Sequence, residues 1–345
     1  MCSTKFIESV NPEIANKLKY IGLNEFLNMV DPNNKEHYVE DNNYTSHLKM
    51  MRSYCNGDGN KLVEYKYGGD ETSGRQYASS PSLQKIKREF RGALVDGIYY
   101  DFDMKNCHPS IVNYLCKKYK IKYYNEEEKT QAFGYLADYC NDREDRLQEF
   151  CDKDKISREE AKNLFLKALT TDYKIVKHKK KKIKNKFFLK FDAEIKIIMK
   201  RLQKIEMEEY KFICTSEKKN IGGKFLSHLG RKYESIILEK VINQFECDVK
   251  MFDGFLIRCE KVDSIEDTII KLDELTEEYG IEWVHKEHDT SLVNDILKLE
   301  ITDDSHVEEL EDCLQDISKK LFDKIYKSKL VNYYGSSRFK SVNGW

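Results

Sequence analysis

The stretch Tyr99-Tyr100-Asp101-Phe102-Asp103-Met104-Lys105-Asn106-Cys107-His108-Pro109 decides how the rest of the chain is read. Asp101 and Asp103 sit two residues apart, so on a strand they project from one face. Just upstream, Ala93 to Tyr100 carries Leu94, Val95, Ile98, Tyr99 and Tyr100, which predicts a buried strand ending at the aspartates. Two close carboxylates at a strand end can share a divalent cation through hard oxygen ligands. They equally suit a solvated strand terminus, and an isolated D-x-D does not separate the two readings.

A second acid lies downstream. Val249 to Arg258, V-K-M-F-D-G-F-L-I-R, reads as a β-hairpin turning at Asp253-Gly254. Asp-Gly is a common hairpin turn pair and needs no chemistry. A two-cation centre, however, requires acids from separated strands, because two ions roughly 3.5–4 Å apart must bridge the attacking and leaving oxygens. On spacing alone Asp253 is as well explained by the turn as by a metal, and Asp101 and Asp103 by a solvated strand end.

Between them the chain is mostly helical. Residues 126–173 are rich in Glu, Lys and Ala, and Ser157 with Glu160 forms a capping-box pattern. The helix beginning there places Arg158 and Lys162 at i and i+4, two cations one turn apart that suit a triphosphate or a solvated, ion-paired face. Val176 to Lys190 holds eight lysines beside Phe187 and Phe188. Such a run neutralises a nucleic-acid backbone, serves as a localisation signal, or is a solvated face. Pro109 to Lys120, a long amphipathic stretch to about Tyr210, residues 232–246 and Ser264 to Tyr279 read as further helices, and Ile281 to Val284 as a strand.

With 345 residues, 40% hydrophobic and 34% charged, the composition is globular rather than disordered. Lys and Arg (59) nearly balance Asp and Glu (60), so any nucleic-acid contact must be local. No apolar run approaches the roughly 20 residues of a membrane span. Ten scattered cysteines without C-x-x-C spacing predict reduced thiols in an intracellular compartment and no zinc site.

The ordered motifs resemble those of family A DNA polymerases. Gly74, Arg75, Ser79, Ser80, Pro81, Leu83, Gln84 and Ile86 are similar to the G-R-x-S-S-x-x-P-N-L-Q-N-I segment of that family, with the serine pair displaced. From Asp103, D-M-K-N-C-H-P-S-I-V resembles D-Y-S-Q-I-E-L-R, and also the D-F-x-S-L-Y-P-S-I-I of family B. Arg158, Ala161 and Lys162 match R-x-x-A-K in place, whereas Leu166 occupies the family's aromatic position and Phe165 lies one residue early. Phe252-Asp253-Gly254 stands where the family has H-D-E. The fit is best to the compact virus- and transposon-borne branch, often fused to a superfamily 3 helicase.

The resemblance implies an α+β fold: a polymerase palm, an antiparallel sheet backed by helices, with inserted helical fingers. It places a reduced thumb-like region at 1–72, the primer-contact turn and first palm segment at 73–125, fingers with a basic insertion at 126–234, the second palm segment at 235–300 and a connector at 301–345. The implied reaction is template-directed nucleotidyl transfer from dNTPs to a primer 3′-hydroxyl, with two Mg²⁺ ions, or Mn²⁺, on Asp103, Asp253 and Asp101. Arg158, Lys162, His108 and Phe165 would meet the nucleotide, His108 where family A has its sugar-discriminating Glu. Arg75, Gln84, Arg88, Arg91 and Lys179, Lys180, Lys181 and Lys182 would meet the DNA primer-template. Rival readings are a primase-polymerase accepting rNTPs, a non-catalytic DNA-binding module of a replicative helicase, and a metal-dependent nuclease. The aromatic-rich end at Trp345 further suggests continuation into a helicase, with no membrane partner.

Overall fold

A computed structural model describes residues 4–19, 21, 23–29, 49–54, 59–67, 75–121, 134–216 and 219–299. Gly74 and the expected connector at 301–345 lie outside them. The chain divides into two compact units. The smaller takes 9–61, 86–96 and 289 onward; the larger takes 1–8, 62–85 and 97–288.

In chain order the elements are β1 (Thr4–Ser9), α1 (Pro12–Leu18), α2 (Leu23–Met29), β2 (Asn60–Tyr67), β3 (Gln76–Ala78), α3 (Arg88–Val95), β4 (Tyr99–Lys105) and α4 (Cys107–Lys118). There follow α5 (Gly134–Asn141), α6 (Arg143–Asp154), α7 (Arg158–Thr170), β5 (Lys177–His178), β6 (Lys181–Lys182), α8 (Lys186–Ile205) and α9 (Met207–Ser216). Last come α10 (Ile221–Phe245), β7 (Val249–Lys250), β8 (Gly254–Arg258), α11 (Ile265–Thr276), β9 (Glu282–Lys286) and α12 (Val293–Leu297).

The fold is mixed α and β, with antiparallel sheets and many helices. A four-stranded sheet of order β7-β8-β4-β9 organises the larger unit. β4 is a central strand, antiparallel to β8 on one side and β9 on the other. Phe102 and Met104 are buried and Asp103 is only partly so, the alternation expected of a strand with one covered face. Phe102 stacks on Phe255, and Phe255 meets Trp283, so the three long strands share one apolar layer.

The expected strand over Ala93 to Tyr100 is corrected. Ala93 to Val95 finish α3, and the chain reverses through Gly97 at φ +70° before β4 begins at Tyr99. An apolar run too short for its period to be read suits either element. The aspartates therefore sit within β4 rather than beyond it. The hairpin at Val249–Arg258 is present, closed by Met251 N–H donating to the Gly254 carbonyl at 3.0 Å. Gly254 is needed for proximity: a β-carbon there would lie 2.3 Å from the Phe102 carbonyl oxygen.

The helices between β4 and β7 pack in one continuous hydrophobic core with the sheet residues Phe102, Phe255 and Trp283. Phe165 on α7 packs on Tyr139, Phe150, Phe188 and Phe191 at centroid separations of 4.2–5.8 Å. Ser157 and Glu160 cap α7 reciprocally, as the sequence pattern predicts. In the smaller unit, Phe26 of α2 stacks on Phe90 of α3 at 4.9 Å.

Candidate active site

The two expected acids meet across the β4–β8 ladder. Asp103 faces Gly254 in register, and Met104 N–H donates to the Asp253 carbonyl at 2.8 Å. Asp253 is thus held by backbone bonds one residue from the position opposite Asp103. Burial, then the charge of Asp253, raises the Asp103 carboxyl to about 7, against the opposing pull of Lys286. Asp101 adds to the rise from two residues away on the same strand face. Lys286 pairs with Asp101 in the β4–β9 register and its ammonium contacts the Asp103 carboxylate.

Asp253 and Asp101 thus bring two further carboxylates near Asp103, whose own carboxylate already carries the Lys286 ammonium. Carboxylate oxygens are the donor type that hard divalent cations take.

Beside the acids lies a second node. Glu234, 1% exposed on α10, accepts from Arg75 Nε at 2.6 Å and from Arg75 Nη2 at 2.8 Å. His108 Nε2 lies 3.1 Å from the same carboxylate. His108 belongs to the first turn of α4, and its ring packs where Gly230 has no side chain; a β-carbon there would come within 3.2 Å. The Arg75 guanidinium lies 4.7 Å from the centre of the Phe252 ring, the residue before Asp253. One buried carboxylate therefore joins the Arg75 turn, the α4 start and the β7–β8 hairpin. Burial pushes the neighbouring Cys107 thiol up, so it is a packing group here rather than a thiolate.

The other expected residues are distributed unevenly. Arg158 forms a two-bond pair with Glu144 at 2.9 and 2.7 Å and is more than half exposed. Lys162 lies 3.7 Å from Glu159 and is also accessible. Phe165 is 1% exposed, its ring consumed by the helical core, so stacking on a nucleotide is not available to it; the neighbouring Leu166 is the exposed one. Gln84 is likewise an internal residue. Its amide accepts from Ala78 N–H and donates to the Gln76 and Lys250 carbonyls, tying β3 to β7 rather than meeting DNA. Arg88 and Arg91 lie on α3 in the smaller unit, where Arg91 donates to the Ile86 carbonyl at 3.3 Å. Lys179 to Lys182 are exposed and form the turn and second strand of a small hairpin, Lys177–Lys182.

Glu234 and Lys286 were not singled out from sequence. Glu234 had a signal: Gly230, Ile237 and Val241 share its buried stripe, and a carboxylate in such a stripe needs a partner. Lys286 had none.

No protein-family model matches the chain. It is 34% identical over 230 residues to a protein of Sputnik virophage named "Putative helicase V13", an alignment covering 62% of this chain and 28% of that protein. The chain thus spans well under a third of the relative's length. Among the described residues no helix is long and apolar enough to cross a membrane.

Proposed function

We propose that this chain is a template-directed DNA polymerase module of a replication protein from a virus or mobile element, the four-stranded sheet being its palm and the α5–α9 helices its fingers. The observation that carries the reading is the juxtaposition of Asp103 on β4 with Asp253 in the turn that leads into β8, where burial and then the Asp253 charge raise Asp103 to about 7. Two divalent cations on these acids and Asp101 would lower the cost of charge developing on the attacking and leaving oxygens. Arg158 and Lys162 would leave their surface glutamates to face the triphosphate, an inexpensive exchange because exposed ion pairs contribute little. His108, held by Glu234 and backed by Gly230, would present a fixed ring to the sugar. Arg75 would contact the primer end.

The virophage relative's name favours a second reading, a non-catalytic module serving a helicase, and makes a replication setting the context for both. Primer extension on a primed template separates the readings. Incorporation of labelled dNTP that requires Mg²⁺ supports the polymerase; DNA binding without incorporation returns the chain to the helicase-module reading. Repeating the assay with rNTPs, and then without primer, tests the primase-polymerase variant.

A further inference from the structure

The lysine run is built in an unusual way. Lys177 pairs with Lys182 and His178 with Lys181, leaving Lys179 and Lys180 as a two-residue turn with φ of +47° and +66°. Two successive positive φ values mark the tight turn that Asn-Gly fills without strain, whereas a β-carbon makes each position costly. Lysines at both positions therefore oppose turn stability and concentrate charge at the tip. The hairpin is anchored to α7: Lys179 of the turn at 2.5 Å and His178 of β5 at 3.3 Å both reach Glu160, the residue that also caps α7. Ile183 N–H donates to the Val176 carbonyl at 3.0 Å, lengthening the pairing by one step.

An exposed aromatic lies next to this hairpin in sequence. Tyr173 is 54% exposed in the segment leading to β5. That segment is tethered on both sides, Asp172 N–H donating to Asn220 Oδ1 at 2.9 Å and Ile175 N–H to Asp192 Oδ2 at 3.0 Å. A basic hairpin and an exposed aromatic four residues ahead of it, on a backbone tethered at Asp172 and Ile175, supply the two contacts that hold single strands, phosphates on the cations and a base on the ring.

We infer that the Lys177–Lys182 hairpin and Tyr173 form a binding site for single-stranded nucleic acid, engaging the phosphodiester backbone at Lys179 and Lys180 and stacking a base on Tyr173. This deepens the polymerase reading by naming the strand held outside the catalytic centre, and rests on that reading only for nucleic acid being the substrate.

The double substitution Lys179→Asn with Lys180→Gly tests it, because it supplies the preferred turn residues while removing the charge. The melting temperature should stay within about 2 °C of the parent, relief of the turn strain offsetting the lost Lys179–Glu160 pair. Affinity for a fluorescent oligothymidylate should fall at least about tenfold near 0.1 M salt, and the log–log salt slope should shrink by about 1.4, the share of two single-strand phosphates. Tyr173→Ala should weaken oligothymidylate binding about fivefold or more while leaving the salt slope and the affinity for blunt duplex unchanged. An unchanged affinity and slope in the turn variant, or equal losses on duplex and single strand in Tyr173→Ala, overturns the inference. These measurements need no chemistry. Oligothymidylate binding that responds as described, in a chain that extends no primer, sinks the polymerase reading alone.

Discussion

Lys286 stands opposite Asp101 in the β4–β9 register, yet its ammonium reaches diagonally to Asp103. The protein thereby supplies a cation of its own to the carboxylate expected to bind a metal. An incoming divalent ion must compete with that ammonium. Lys286→Met should therefore tighten Mn²⁺ binding, read directly by calorimetry, by roughly three- to tenfold for a partly exposed pair. Unchanged Mn²⁺ affinity would make Lys286 a bystander.

Asp103→Asn and Asp253→Asn should each lower primer extension by on the order of a thousandfold with the fold retained. A well-folded variant of either that extends primers at the parental rate would remove the two-acid assignment.

The same Asp103→Asn change should stabilise the metal-free protein. Its carboxyl is raised from 3.8 to about 7 on folding, so between those pH values the folded state keeps a proton the unfolded chain has lost. Stability attributable to this group is complete at low pH and declines as pH rises towards 7. Replacement by the neutral amide should recover about 1–2 kcal/mol at pH 7.5, measured by urea denaturation, with a smaller gain at pH 5. A variant less stable than the parent at pH 7.5 would contradict the strained-acid account.

Glu234→Gln keeps the shape of the node but removes the charge holding Arg75 and His108. Stability should fall by about 3 kcal/mol, because a part-buried guanidinium loses its ionic partner. If the node also fixes the sugar pocket, the ratio of kcat/KM for dNTP over rNTP should fall in Glu234→Gln and in His108→Ala alike. A ratio unmoved in both leaves the node purely structural.

Lys162→Ala should raise the apparent KM for dNTP and lower kcat, since the lost charge would face the triphosphate. Parental values for both constants would mean that Lys162 remains paired with Glu159 during turnover.

The acid-bearing strand, the hairpin at Asp253-Gly254 and the capping box at Ser157 were legible because each rests on local chemistry: alternation, turn preference and a reciprocal hydrogen bond. The boundary at Ala93–Tyr100 was not, since a short apolar run carries no period and Gly97 decided where the chain reversed. Phe165 misled for a related reason. It lies one residue before the motif's aromatic position, and one residue of helix is 100° of rotation, enough to carry a ring from surface to core. Lys286 and the Lys179-Lys180 turn depend on pairing between strands, and pairing is not written in either strand alone.

Gly254 carries one more consequence. Its missing β-carbon lets the hairpin close to within reach of the Phe102 carbonyl. The spacing between the two acids is therefore governed by an atom that neither of them owns. Gly254→Ala would leave every acidic side chain in place and still wedge the strands apart. Inactivation by that route is a lesion of distance rather than of composition, and a survey that counts carboxylates alone would score such a chain as intact.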